Sequence, residues 1–352
     1  MALVRKVLVC GTALAVASLS GAVVPAGAWA QPEPAGSGTP TTSGSPAAPA
    51  PSEPVATPDG SSAPVEPSGG GITARAVMVT PPPPNTATYS YGEGPRRQLD
   101  VYWRTPDASA GPDAQAARPG VLVLHGGYWM AGDKRSWRYI ARKLTSRGYV
   151  VFAANYSLVP HEQWPTQRRD VRAALRYVKN NAHLWNLDPT RIVVLGSSAG
   201  GHLATQLGTH GRGAQSVRGV VALSPVVSLQ RAYHDGGELG ADASRVKLRQ
   251  AVRLLVGCDP QEEDAEPECL ERVEDATPVT HAGPGDAPML LVHGTEEFVP
   301  VEHSEELAGA LQAGGVPATV RTVAGPAHGG ELLRDESTQE AVFSWIDSVA
   351  KE

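Results

Sequence analysis

The chain has 352 residues, of which 19% are charged, and a formal net charge of −6. That acidic balance argues against nucleic acid or an anionic membrane as partner, since both attract a basic surface. The length suits one large α/β domain with appendages, and no internal repeat is visible.

Arg5 and Lys6 precede an apolar run from Val7 to about Val24, and Ala28-Trp29-Ala30 supplies a small-x-small cleavage pattern. Residues 1–30 therefore read as a secretory signal peptide, and the expected location is extracellular. A membrane anchor is the alternative, because the run is nearly long enough to span a bilayer. Its Ala, Gly and Ser content favours cleavage, which takes the net charge from −6 to −8 as Arg5 and Lys6 leave. Residues 31–84 are rich in Pro, Ala, Ser, Thr and Gly and end in four prolines; with almost nothing to bury, they read as an extended spacer. Its Ser, Thr and Pro content would allow O-glycosylation. Cys10 stands too early for a lipoprotein site. Cleavage leaves Cys258 and Cys269, which in an exported chain are expected to form a disulfide.

From residue 85 onward, apolar runs alternate with helical patterns. Tyr89 to Trp103 reads as a hairpin turning at Gly92-Glu93-Gly94-Pro95. A strand over Gly120–Leu124 is followed by a helix near Ser136–Arg147, a strand at Tyr149–Ala154 and a helix over Gln167–Asn181. Further strands are expected at Ile192–Leu195, Val217–Leu223, Met289–Val292 and Ala318–Val323, with a last helix near Ser337–Ala350. This alternation predicts a mostly parallel sheet covered on both faces, with its chemistry in the loops at the carboxyl ends of the strands.

Four of those loops stand out: His125-Gly126-Gly127-Tyr128-Trp129, Gly196-Ser197-Ser198-Ala199-Gly200, His293-Gly294-Thr295-Glu296-Glu297-Phe298-Val299-Pro300, and Gly325-Pro326-Ala327-His328-Gly329-Gly330. The second fits G-x-S-x-G between a strand and a helix. That turn is too sharp for flanking side chains and holds its central serine at the apex. Ser198 is then the candidate nucleophile and Ser197 the filler.

Taken in order, HGGYWMAGDK, NYSL, GSSAGGHLA, HGTEEFVP and AHGG resemble the α/β-hydrolase superfamily, in particular its carboxylesterases with an HGG motif (hormone-sensitive-lipase-like and acetyl-xylan/feruloyl-esterase-like enzymes). The resemblance runs from about Tyr89 to the C-terminus and implies an α/β-hydrolase fold over residues 85–352, with a small cap-like insertion. Tyr128 departs from it, standing where many relatives have a third glycine. Kynurenine-formamidase-like members also carry HGGYW, which leaves amide substrates open.

A serine hydroxyl needs a base and a carboxylate that orients the base. The superfamily's chain order of Ser, acid, His points to His328 as the base, because His303 begins a helix beside the acid. The acid is expected at Glu296, counting back from Pro300, with Glu297 as the alternative, counting forward from His293. The oxyanion hole is assigned to the backbone N–H groups of Gly127, Tyr128 and Ala199. His125 is read as a brace of the HGG loop, and His202 and His293 as packing residues. Trp129, Trp164 and the segment Gln230–Glu274 are candidates for lining or covering the pocket, with core packing the plainer role for Trp129. No His, Cys and carboxylate set has zinc-site spacing, so neither metal nor cofactor is expected. The resulting expectation is a secreted serine hydrolase cleaving small acyl esters, free or on a polysaccharide. The alternatives are an amidase of the arylformamidase kind and a catalytically inactive binding protein.

Overall fold

The structure, a computed structural model, describes residues 82–105, 116–260 and 266–351. The expected signal peptide lies outside the described residues, as does all of the spacer except its last three residues.

The strands are β1 (Asn85–Ser90), β2 (Gln98–Trp103), β3 (Arg118–Leu124), β4 (Val150–Ala154), β5 (Leu187–Ser197), β6 (Gly219–Leu223), β7 (Met289–Gly294) and β8 (Ala318–Val323). They form one sheet in the order β1-β2-β4-β3-β5-β6-β7-β8; β2 pairs antiparallel with β1 and β4, and every other pairing is parallel. The helices are α1 (Arg138–Ser146), α2 (Thr166–Asn180), α3 (Ala199–Thr209), α4 (Gly213–Ser216), α5 (Leu229–Asp235), α6 (Ala243–Val256), α7 (Pro267–Asp275), α8 (Pro278–His281), α9 (Glu302–Ala313) and α10 (Glu336–Lys351).

The apolar runs read from the sequence are the central strands. Because side chains alternate across a strand, a run that is apolar throughout serves two cores at once. Val121, Val123, Val193 and Leu195 pack with Trp137, Leu144, Phe343 and Ile346 from the α1 and α10 side. Leu122, Leu124, Ile192 and Val194 pack with Val171, Leu175, Leu203 and Leu207 from α2 and α3 on the other face. The expected helix over 136–147 is split, with a 3₁₀ turn at Lys134–Trp137 leading into α1.

Helices α5, α6 and α7 form the insertion between β6 and β7 that the resemblance implied. Cys258, just past α6, is bonded to Cys269 on α7, with Cα atoms 6.0 Å apart. A closed loop of this size stabilises by roughly 2–3 kcal/mol in the chain-entropy model. Reduction of the protein is expected to lower its melting temperature; an unchanged Tm after thiol counting has verified reduction would contradict this.

Of the two roles open to the tryptophans, wall of the pocket or core, both take the core. Trp129 is fully buried and its Nε1–H donates to His202 Nδ1 at 3.1 Å, while Trp164 Nε1–H donates to Asp275 Oδ2 at 2.7 Å. Their indole N–H groups thus find buried or half-buried acceptors in α3 and at the end of α7, which holds both rings inward.

Candidate active site

Ser198 sits at the turn from β5 into α3 with φ +53° and ψ −117°, a strained backbone for a residue with a side chain. Its N–H donates to Leu223 O at 2.8 Å, which ties the elbow to the neighbouring strand. The flanking glycines are required by contact: a Cβ on Gly196 would stand 2.1 Å from Gly200 O, and one on Gly200 would stand 2.3 Å from Leu124 O. Ala199 opens α3, so its N–H has no carbonyl behind it within the helix.

His328 follows β8, and its Nδ1 meets Glu297 Oε2. A carboxylate only accepts, so Nδ1 carries a proton, and in the neutral ring the lone pair is on Nε2. The other carboxylate oxygen, Oε1, accepts from Ser224 Oγ at 2.7 Å and from Gly294 N–H at 2.8 Å. Glu297 is buried.

The carboxylate that reaches His328 is therefore Glu297 and not Glu296, which is exposed. The turn after β7 decides this. Thr295 N–H donates to Val323 O at 2.9 Å and Glu296 N–H to Gly325 O at 3.1 Å, so both residues run along the edge of the β8 loop. The chain then folds inward at Glu297, whose carboxylate caps the end of its own strand.

Ser224 escaped sequence reasoning. It follows β6 at φ +48°, is fully buried, donates to Glu297 and accepts from Gly329 N–H at 2.8 Å. It thus joins the acid to the residue after the histidine. A serine directly after a strand, as in the loops already singled out, was the available signal. Ser197 is also more than filler, because its Oγ accepts from Gly330 N–H at 2.9 Å. The histidine loop seats closely on the elbow: a Cβ on Gly329 would lie 2.4 Å from Ser197 Oγ and 3.8 Å from Ser198 N.

The HGG loop lies against the same elbow, with the Cβ position of Gly126 3.2 Å from Ser198 Cβ. Gly127 has φ +126°, and a Cβ there would stand 2.3 Å from Ala131 O. Gly127 O accepts from the N–H groups of Met130 and Ala131, both at 3.0 Å, whereas among the described residues the N–H groups of Gly127 and Tyr128 donate to no backbone carbonyl. Motif residues without chemistry of their own anchor the loop. Asn155 Nδ2–H donates to Asp133 Oδ2 at 3.0 Å, Lys134 N–H donates to Asn155 Oδ1 at 2.6 Å, and the buried Lys134 ammonium pairs with Asp100 at 2.7 Å.

Tyr128 stacks on Phe298, with centroids 5.7 Å apart, and Phe298 lies 4.3 Å from the His328 ring. Lys247 of α6 stands over Tyr128 at 4.6 Å, and Arg245 Nε–H donates to Phe298 O at 3.2 Å. The insertion therefore leans on the aromatic pair beside the histidine. Among the described residues, one grouping brings three possible metal ligands within 4.8 Å: His234, Asp235 and Glu238, on and just past α5. None of them belongs to the four loops.

Four other histidines are buried. His125 Nε2 meets the Arg96 guanidinium and His202 lies between Trp129 and the Ala276 carbonyl. His293 Nδ1 meets Ser304 Oγ, and His303 Nδ1 accepts from Ser228 N–H. Burial pushes His125, His202 and His293 down to about 4 and His303 down to about 3, from an ordinary 6.5. A lowered folded-state pKa means that stability is complete above the unfolded value of 6.5 and is lost as pH falls toward 4, because only the unfolded chain takes up the protons. The loss is on the order of 1 kcal/mol per histidine by pH 5.5. A marked fall in Tm between pH 7.5 and pH 5.5 is expected, and a flat Tm over that range would contradict the burial of these rings.

The family model BD-FAE matches residues 107–311, more than half of the chain. The chain belongs to the BD-FAE family. Among curated proteins, Esterase LipC of Mycobacterium tuberculosis is 27% identical over 74% of this chain and 64% of its own length. The probable isoprenylcysteine alpha-carbonyl methylesterase ICMEL1 of rice (Oryza sativa subsp. japonica) is 27% identical over 70% of this chain and 57% of its own. The chain thus spans less than two thirds of either relative. Among solved structures, a truncated carbohydrate esterase from gut microbiota superposes with TM-score 0.63 at 24% identity, covering 77% of this chain and 98% of that one. Esterase B from Lactobacillus rhamnosis superposes with TM-score 0.62 at 21% identity, covering 76% and 86%. These superpositions establish the α/β-hydrolase fold for this BD-FAE member.

Proposed function

We propose that this BD-FAE member is a serine hydrolase that cleaves carboxylic esters of small acyl groups through an acyl-enzyme on Ser198. The observation that carries the reading is the Glu297–His328 pair, held on two strand-end loops against the Ser198 elbow. Membership of the family and the esterase names of the relatives support it.

His328 Nε2 takes the Ser198 hydroxyl proton as Oγ attacks the carbonyl carbon, and Glu297 stabilises the imidazolium that results. The N–H groups of Ala199, Gly127 and Tyr128 receive the charge that develops on the carbonyl oxygen, and the positive end of α3 adds to them. Collapse expels the alcohol, which takes its proton from His328. Water then attacks the acyl-enzyme by the same route and releases the acid. The insertion sequence from Gln230 to Pro278 is mostly charged and polar, without the long apolar run of a lipid-binding lid, which supports acetyl to butyryl over long acyl chains. The Arg5-Lys6 apolar segment and its Ala28-Trp29-Ala30 pattern support export.

The test is a substrate panel: p-nitrophenyl acetate, butyrate and octanoate, acetylated xylan, and N-formylkynurenine. The proposal expects turnover of the short esters and poor octanoate hydrolysis. Faster turnover of the formamide than of any ester would make the protein an amidase, and no turnover of any substrate would point to a binding role.

A further inference from the structure

Arg96 lies in the turn between β1 and β2, outside every motif, yet its side chain reaches into the base of the HGG loop. Nε–H donates to Tyr156 O at 3.1 Å, and the Nη2 group donates to Gly132 O at 2.9 Å and contacts His125 Nε2 at 3.1 Å. A guanidinium is all donor and stays charged, so His125 Nε2 has to accept. The ring proton of neutral His125 is then on Nδ1, where it donates to Gly126 O at 2.9 Å. The ring cannot swing away. It stacks on Tyr156 with centroids 4.4 Å apart and planes 16° apart, and the Tyr156 hydroxyl donates to His125 O at 2.8 Å. Gly132, at φ +107°, makes the approach possible, because a Cβ there would stand 2.3 Å from Gly126 O and 2.4 Å from His125 Nδ1.

The Gly126 carbonyl and the Gly127 N–H are opposite ends of one planar trans peptide, so fixing the direction of one fixes the other. We infer that Arg96 is a positioning residue of the oxyanion hole: it selects the Nδ1–H tautomer of His125 and, through the Gly126 carbonyl, aims the Gly127 N–H at the reacting oxygen. In the other tautomer a ring lone pair would face the Gly126 carbonyl, and the peptide would lose the bond that holds it. This inference rests on the proposed oxyanion role of Gly127, and a merely structural Arg96 would not couple ring tautomer to transition-state affinity.

The experiment uses the full chain in two measurements. Nitrogen-15 NMR of histidine-labelled protein is expected to show His125 protonated at Nδ1 and bare at Nε2, with that preference lost in Arg96→Met. Arg96→Met is expected to lower kcat/KM for p-nitrophenyl acetate about 10- to 100-fold, part of the loss seen on removing an oxyanion donor outright. KM is expected to stay within about twofold, and affinity for an aryl trifluoromethyl ketone, which forms a tetrahedral adduct, to fall by the same factor as kcat/KM. Arg96→Lys, which keeps one charged donor, is expected to recover part of both. A wild-type His125 protonated at Nε2 overturns the inference, as does an Arg96→Met chain with unchanged kinetics or with ketone affinity that does not follow kcat/KM. If Arg96→Met does not fold, Arg96→Lys and the wild-type spectrum decide. A wild-type chain inactive on every ester defeats the proposed function, whereas the tautomer spectrum tests the Arg96–His125 assignment separately.

Discussion

Glu297→Gln is expected to lower kcat by about 10³- to 10⁴-fold, on the scale of losing the orienting carboxylate of a catalytic triad. The reason is geometric. Ser224 Oγ–H and Gly294 N–H both donate to Oε1, so the amide oxygen of a glutamine is drawn to that position. Its NH₂ group then faces His328 Nδ1, which has to accept. That moves the ring proton to Nε2 and leaves no lone pair for the Ser198 proton. Glu296→Gln changes only an exposed charge, and its kcat is expected to stay within about twofold. Steady-state kinetics of the two variants on p-nitrophenyl acetate checks this, and the reverse ranking would contradict the assignment of Glu297.

Ser198→Ala is expected to lower kcat by about 10⁵-fold or more, because it removes the atom that forms the acyl bond. Ser197→Ala provides the contrast. It deprives Gly330 N–H of its acceptor, a cost of about 1–3 kcal/mol if the donor stays unpaired. That cost falls mainly on the seating of the histidine loop, so activity within about tenfold of the parent is expected. Equal losses at the two positions would place the nucleophile wrongly.

The sheet was legible because its central strands are apolar without interruption, as two-sided burial demands. Ser198 was legible because the elbow leaves its trace in local sequence, with glycines wherever a Cβ would strike backbone. His328 followed from the order of the loops. The acid was not legible from local sequence. Glu296 and Glu297 are chemically identical neighbours, and the choice between them is made by backbone bonds from Thr295 and Glu296 to Val323 and Gly325 of another loop. The choice between pocket wall and core for Trp129 and Trp164 was open for the same reason, since their partners His202 and Asp275 come from distant segments. Ser224 and Arg96 stand in stretches that read as ordinary connections. Their importance arises only when the sheet brings the β6 end to the acid and the hairpin turn to the HGG loop.

Ser198 as the nucleophile is tested by active-site labelling of the full chain with a p-nitrophenyl alkylphosphonate. One equivalent of p-nitrophenol is expected per chain, with esterase activity lost in step and a single adduct mapped by peptide mass spectrometry to Ser198 and missing from Ser198→Ala. Ester turnover that survives the reagent, or an adduct on Ser197 or any other residue in place of Ser198, would contradict it.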